Sequence, residues 1–342
     1  MSKYLSSDRG IGIPGADTSW SPSNGSHDAI VNFNKMHHLL LLASKADLTR
    51  LTQEEIVGSA DDFTANMTEI QDRVGIEAGN PDGTRHVKFI DQDARVWLAK
   101  DYPLERRHRV LADEFVSGLS TKLGLSTTME AKAGALHGDL TIFVGWEDTI
   151  GSLWDDLRES RWQPADLVAR LSEQELKQIA SEQVLDWLVS NHDSHLGHFL
   201  RRATGGFVCI DKAQAFKYIG NSDEQLSATY NPNGPNNGFD NISYMPIYNI
   251  VLPIIAKGQG KLSLKDLWVA VAEKIEIVEH ISDEDYRKAL LPYANLRFGV
   301  VNSPEDKRKG LDVEGFLNLA LERKRNIRRD FIKFYEDLKA AL

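Results

Sequence analysis

The spacing of apolar positions changes character several times along the chain. Between residues 29 and 66 the apolar side chains recur at helical spacing, which predicts helices over 29–45 and 52–66, the second with Thr52 and Glu55 spaced as a capping box. From residue 68 the period shortens. Residues 68–75, 85–90 and 94–102 are short alternating or β-branched runs, and Gly79-Asn80-Pro81-Asp82-Gly83 separates the first two as a turn. A helix is expected over 107–123, ended by Gly124, followed by strands at 127–135 and 140–146. Together these predict a small sheet carrying one helix.

Helical spacing then takes over. Residues 152–188 read as helix in pieces, broken near Gln163-Pro164, and a short strand pair surrounds 199–202 and 207–211. A polar stretch at 221–242, containing NPNGPNNGFDN, reads as a loop of functional length. The remainder is helical, ending in a helix over 313–342. Residues 1–28, rich in Ser, Gly, Asp and Pro, read as a flexible arm. The expected organisation is an α+β chain with the arm at 1–28, accessory helices at 29–67, a small β-rich lobe at 68–147 and a larger helical lobe at 148–342. The seam falls near Gly145 to Gly151.

Composition narrows the function classes. Of 342 residues, 42% are hydrophobic and 26% charged, which is ordinary for a globular protein of one or two lobes. A net charge of −10 argues against a general binder of nucleic acid or anionic membrane, since phosphate neutralisation needs clustered Lys and Arg. A single cysteine, Cys209, allows neither an intramolecular disulfide nor a cysteine-rich zinc site. No apolar run is long enough to span a bilayer, and 1–28 lacks the apolar core of a signal peptide. A cytoplasmic setting, without membrane insertion or direct nucleic-acid binding, is the expectation.

The chemistry concentrates in WLVSNHDSHLGHFLRRATGGFVCIDKAQAF, residues 187–216. An apolar helix end runs into Asn191-His192-Asp193-Ser194-His195, then a strand, a Gly205-Gly206 turn and a second strand ending in Ile210-Asp211. Two acids are thereby delivered to one edge of a hairpin. Phosphoryl transfer needs such an arrangement, one carboxylate beside the attacking hydroxyl and another holding Mg²⁺ against the phosphates.

This stretch resembles the catalytic and metal-binding loops shared by HipA-like bacterial kinases and the phosphatidylinositol 3- and 4-kinases, whose pattern runs Asn-x-Asp-x-His-x-x-Asn, a hairpin, then Ile-Asp. Asn191, Asp193, His195 and Ile210-Asp211 stand in register with it. The resemblance implies a two-lobed protein-kinase-like fold, Asp193 as catalytic base, His195 as an orienting residue of the catalytic loop, and Asp211 as a metal ligand. The family's metal-binding Asn falls on His198, whose imidazole suits zinc or manganese better than oxygen-preferring Mg²⁺.

Upstream, the strand pattern ARVWLAKDY puts Lys100 on one face with Val96 and Leu98, and Glu114 lies on the following helix. In a kinase such a Lys grips the α- and β-phosphates and a helix Glu positions it. ADEFVSGLSTKLGL is similar to the HipA-like Asn-Glu to Leu-Gly-Leu pattern, with Asp113 in place of the Asn. Phe143, Val144, Gly145 and Trp146 form the expected hinge, whose backbone would meet adenine. The glycines of 75–83 read equally as a phosphate-covering loop or an ordinary hairpin turn, and Arg85 or Lys88 as phosphate contacts or plain strand positions.

Other readings compete. His137-Gly138-Asp139 resembles the catalytic loop of aminoglycoside- and choline-type kinases, but the distance to Glu147-Asp148 is too short for the intervening hairpin, so Asp139 is read as the first residue of a strand. His192, Asp193, His195 and His198 are close enough for a hydrolytic zinc centre. The basic run at 322–330 reads as a solvated helix face, with attraction of an acidic partner as the alternative. The expected function is ATP- and Mg²⁺-dependent phosphorylation (Mn²⁺ as substitute) of a protein Ser or Thr. The alternatives are a nucleotide-binding pseudokinase, or a lipid or small-molecule kinase.

Overall fold

The computed structural model describes residues 68–70, 85–91, 93–103, 106–136, 139–147, 149–220, 226–227, 245–301 and 310–340. The expected arm, the accessory helices before residue 68, the turn at 75–83 and most of the 221–242 loop lie outside the described residues. Five strands, β1 (Thr68–Ile70), β2 (Arg85–Ile90), β3 (Val96–Asp101), β4 (Ala131–Leu136) and β5 (Asp139–Gly145), pair antiparallel in the order β1-β2-β3-β5-β4.

Alternation along β3 decides which residues share a face. Trp97 and Ala99 join Phe89 and Phe143 in one apolar cluster, so Lys100 falls on the opposite face. Phe89 and Phe143 meet edge to face with centroids 5.7 Å apart. The Trp97 indole donates to Asp91 Oδ2 at 2.8 Å, while Arg95 and Lys132 lie 4.4 and 5.2 Å from its ring centroid. Glu130 holds both cations, at 2.5 and 2.8 Å. Helix α1 (His108–Lys122) follows the sheet's third strand and stops as expected at Gly124, whose φ of 63° is the left-handed conformation a helix end requires.

Two compact units divide the chain. Among the described residues one takes in 68–115, 129–148 and 288–313, the other 116–128, 149–287 and 314–340. The unit division differs from a single cut in two places: 116–128 goes with the larger unit and 288–313 with the sheet.

The larger unit contains β6 (Thr149–Ser152), β7 (Phe199–Arg202) and β8 (Phe207–Cys209) as a three-stranded sheet. Its helices are α2 (Leu153–Glu159), α3 (Pro164–Arg170), α4 (Glu173–Leu188), α5 (Ile247–Ala256), α6 (Leu264–His280), the start of α7 (Asp283–Ala294), and nearly all of α8 (Val313–Ala340). Strand β6 carries no signal strong enough to be expected from sequence. The break near Gln163-Pro164 is real: Pro164 lacks an N–H and takes the first position of α3. Capping boxes Ser152/Asp155 and Ser172/Glu175 open α2 and α4.

The basic face of α8 is met within its own unit. Lys324 and Arg325 pair with Asp283, and Arg328 with Glu279. The expected solvated face at 322–330 is thus in part an ion-paired one, with Lys324 buried. Among the described residues no helix is long and apolar enough to cross a membrane. The fold is α+β, with a small β-rich unit and a larger, mainly helical one.

Candidate active site

Helix α4 is buried on nearly every side, and it carries two acids one turn apart, Glu182 and Asp186, at 0% and 1% exposure. Like charges at that spacing repel, and burial raises the cost. Lys212 resolves the conflict. Its Nζ lies 2.8 Å from Glu182 and 2.7 Å from Asp186. Burial alone would lower the pKa of this ammonium, but Asp186 and Glu182 together push it well above its ordinary value.

The remaining carboxylate lone pairs are satisfied by hydroxyls and an amide. Thr127 and Thr128 donate to Glu182; Ser194, Tyr248 and the Asn191 side chain donate to Asp186. Asp186 thus clamps residues 191 and 194, on either side of Asp193, and through Lys212 it grips the residue after Asp211. The Asn191 N–H also donates to the Asp186 carbonyl at 2.8 Å. Sequence reasoning missed Glu182, Asp186, Lys212 and Tyr248. The available signal was a pair of acids at i and i+4 inside the apolar run Val184, Leu185, Leu188, followed at a distance by a Lys adjoining the Ile-Asp.

The loop itself brings three sequence-predicted residues together. Ligand atoms of Asp193, His195 and His198 lie within 4.8 Å of one another. His198 is at the end of a short 3-10 turn (Leu196–His198), and its carbonyl accepts from Ile210 N–H at 3.0 Å, bringing the end of β8 beside the 191–198 loop. His198 Nε2 is 3.9 Å from Asp211 Oδ2. The start of α5 is tied to the same loop, Ile247 N–H donating to the Ser194 carbonyl at 2.9 Å.

The two histidines use their Nδ1 atoms in opposite ways. His198 Nδ1 faces the Asp193 carbonyl at 2.6 Å; a carbonyl only accepts, so this Nδ1 carries a proton. His195 Nδ1 accepts from Gly197 N–H at 3.1 Å, so its proton sits on Nε2. His195 Nε2–H is therefore a donor.

Burial, then the neighbouring His198, pushes His195 down to about 3 from an ordinary 6.5. It is neutral across the working range. Below 6.5 the unfolded chain takes up a proton that the folded chain refuses until about 3, so this stabilisation is complete above 6.5 and drains away as pH falls toward 3. Between about pH 7 and about pH 5 the loss should be on the order of 2 kcal/mol. Urea unfolding at both pH values checks this against His195→Gln; an equally steep loss in the variant would exclude His195 as its source.

Asp211 leaves strand β8 with φ 62°, in the left-handed region that a non-glycine side chain occupies at a cost of about 1–2 kcal/mol. Asp211→Gly is expected to leave thermal stability unchanged or raise it by up to about 1 kcal/mol. A fall beyond about 1 kcal/mol in calorimetry would mean that the carboxylate's contacts outweigh the backbone strain.

On the sheet unit, Lys100 and Glu114 are both buried. Glu114 Oε1 accepts from the Ala133 N–H at 2.6 Å. The register places Ala133 opposite Ile142 and Ile142 opposite Lys100, so the two charged residues address one row across the sheet. Phe143 and Val144 lie in β5, paired on both edges, and the N–H groups of Gly145 and Trp146 donate to the carbonyls of Glu130 and Val96, each at 2.8 Å. The sheet therefore uses the N–H groups of Gly145 and Trp146. Lys88 Nζ lies 4.4 Å from the Trp146 ring centroid, a cation–π contact. Asp139 opens β5 opposite Leu136, as the strand reading of that residue expects. Cys209 packs in β8, its thiol pushed up by burial and then by Glu182.

Among solved structures, a crystal structure of the Helicobacter pylori proinflammatory kinase CtkA is similar at 14% identity over 75% of this chain and 96% of that chain, with a TM-score of 0.43. No protein-family model and no curated protein matches the sequence.

Proposed function

We propose that the protein is an ATP-dependent phosphotransferase acting on a Ser or Thr hydroxyl of a protein, with Asp193 as the base and Asp211 as a metal ligand. The observation that carries this reading is the joining of the two acid-bearing segments: Ile210 N–H donates to the His198 carbonyl at 3.0 Å, and Lys212 is fixed to Asp186, which also holds Asn191 and Ser194. A rigidly held pair of acids from adjacent segments suits a reaction in which positioning and charge stabilisation do most of the catalysis.

In this reading Asp193 accepts the proton of the acceptor hydroxyl as it attacks the γ-phosphorus, and His195, neutral with Nε2–H outward, serves as a donor that orients the reacting groups. Lys100, supported by Glu114, would hold the α- and β-phosphates. A divalent ion held by Asp211 and His198 would neutralise charge developing on the phosphate oxygens.

The test is incubation with γ-labelled ATP and Mg²⁺ or Mn²⁺, wild type beside Asp193→Ala, following label on protein and released phosphate. Transfer that disappears in the variant supports the kinase. Nucleotide binding without transfer under either metal would make the protein a pseudokinase, and no nucleotide binding would sink both.

A hydrolytic zinc centre is the second reading, favoured by the closeness of Asp193, His195 and His198. Zinc there would need a lone pair from each imidazole. The Gly197 N–H already occupies the one that His195 has, which supports the kinase over the hydrolase.

A further inference from the structure

We propose that Arg323, on α8, is a positioning residue for the 191–198 loop: it clamps the carbonyl and the indole of Trp187 and so sets His192 and, beside it, Asp193. The effect on rate rests on the phosphotransferase reading; the hold on the loop stands on contacts within the larger unit.

The exit from α4 is where the backbone needs support. Ser190 has φ 50°, the left-handed conformation that glycine usually supplies at a helix end. Its N–H donates to the Trp187 carbonyl at 3.1 Å, and Asn191 N–H donates to the Asp186 carbonyl at 2.8 Å, the two bonds that close such a turn. Because serine has a β-carbon, this turn is less favourable than the same turn with glycine. Arg323 adds a bond at that point, Nη1 donating to the Trp187 carbonyl at 3.2 Å. A carbonyl oxygen has two lone pairs, enough for the turn and the guanidinium together. A cation at the C-terminal end of a helix is also favoured by the helix dipole.

The same guanidinium stacks on the side chain. Its carbon lies 4.1 Å from the Trp187 ring centroid, and the indole N–H donates to Asp330 Oδ2, also on α8, at 3.4 Å. Trp187 is thus held by α8 at its ring face and at its nitrogen. Its ring meets that of His192 edge to face at 5.9 Å, and His192 meets Tyr218 likewise at 5.7 Å. Arg323, Trp187, His192 and Tyr218 form one series from α8, through the start of the loop, to the segment after Asp211. Trp187 and His192 are both buried, so each ring has little room to turn once its neighbours are fixed. Lys324, Arg325 and Arg328, in the same basic run, pair with acids of α6 and α7 instead.

The experiment compares wild type, Arg323→Met, Arg323→Gln and Arg325→Met in the full chain. It reads amide hydrogen exchange without nucleotide, then initial rates of phosphoryl transfer against ATP concentration. Methionine keeps an apolar stem but neither the charge nor the donors of arginine. Arg325→Met removes a neighbouring charge from the same helix and serves as the control.

In Arg323→Met, exchange at 191–198 should quicken at least about tenfold while α2 and α6 change by less than about threefold. Its kcat should fall about tenfold with the KM for ATP unchanged, the mark of a misplaced reacting group. Arg323→Gln, planar and still a donor, should recover part of both losses, and Arg325→Met should alter neither by more than about threefold. Unchanged exchange at 191–198 in Arg323→Met overturns the proposal. So does exchange that quickens equally across the unit, which would make Arg323 a general packing residue, or an equal effect of Arg325→Met. Local loosening with kcat preserved in an active enzyme also overturns it. If wild type transfers no phosphate, the phosphotransferase reading fails by itself, and the exchange measurements still decide whether Arg323 holds the loop.

Discussion

Lys212→Met should be the most destabilising substitution in the helical unit, costing about 3–5 kcal/mol. The ammonium stands between Glu182 and Asp186, at 2.8 and 2.7 Å, and all three groups are essentially without solvent. Removing the cation leaves two carboxylates one turn apart in a medium where neither is hydrated. Thr127, Thr128, Ser194, Tyr248 and Asn191 still donate hydrogen bonds, but none carries the charge that offsets theirs.

Thermal unfolding should fall by on the order of 10 °C. A second variant separates charge from packing: Glu182→Gln and Asp186→Asn added to Lys212→Met should recover part of the loss, because neutral amides do not repel. If Lys212→Met unfolds within about 1 kcal/mol of wild type, the three-way cluster is not what holds the loop.

Asp193→Asn should lower kcat by about 10²–10⁴-fold while leaving the KM for ATP nearly unchanged. The substitution removes the carboxylate proposed to take the acceptor proton but keeps two backbone contacts that place the residue. Its N–H reaches Asn191 Oδ1 at 3.4 Å, and its carbonyl accepts from His198 Nδ1 at 2.6 Å. A loss confined to kcat reports an interaction made in the transition state. A matching rise in KM with preserved kcat would instead assign Asp193 to nucleotide binding, and the base would have to be sought elsewhere in the loop. Measurement of initial rates against ATP concentration decides between them.

Much of the element order was legible because local forces set it. Strands β2, β3 and β5 match the alternating runs to within two residues, since period-two hydrophobicity is a local property of the chain. Helix α1 stops where Gly124 permits the left-handed turn, and α3 starts where Pro164 forbids continuation. By contrast, the expected strand at 127–135 begins only at Ala131: Thr127 and Thr128 are drawn away to Glu182, and Thr128 bridges Cys209 instead. No local pattern announces a strand shortened by hydrogen bonds to a helix about 54 residues later.

The motif residues were legible for a different reason. Asn191, Asp193, His195, His198 and Asp211 lie within 21 positions of one another, and a hairpin of that length returns the chain on itself, so the sequence already places them in one neighbourhood. The strand order was less legible, because which strands flank β5 is not a local property: β3 and β4 take both of its edges.

By itself, then, the sequence determined the α+β order, the caps and breaks of the helices, and the chemical types gathered around the hairpin. Tertiary structure decided what those types can do. The roles of the two Nδ1 atoms of His195 and His198 follow from a neighbouring N–H and a neighbouring carbonyl, and the rigidity of the loop follows from Asp186, Lys212 and Tyr248, distant in sequence and joined only in the core. Such long-range polar contacts form where burial makes an unpaired group costly, and burial is a property of the packed chain rather than of any segment.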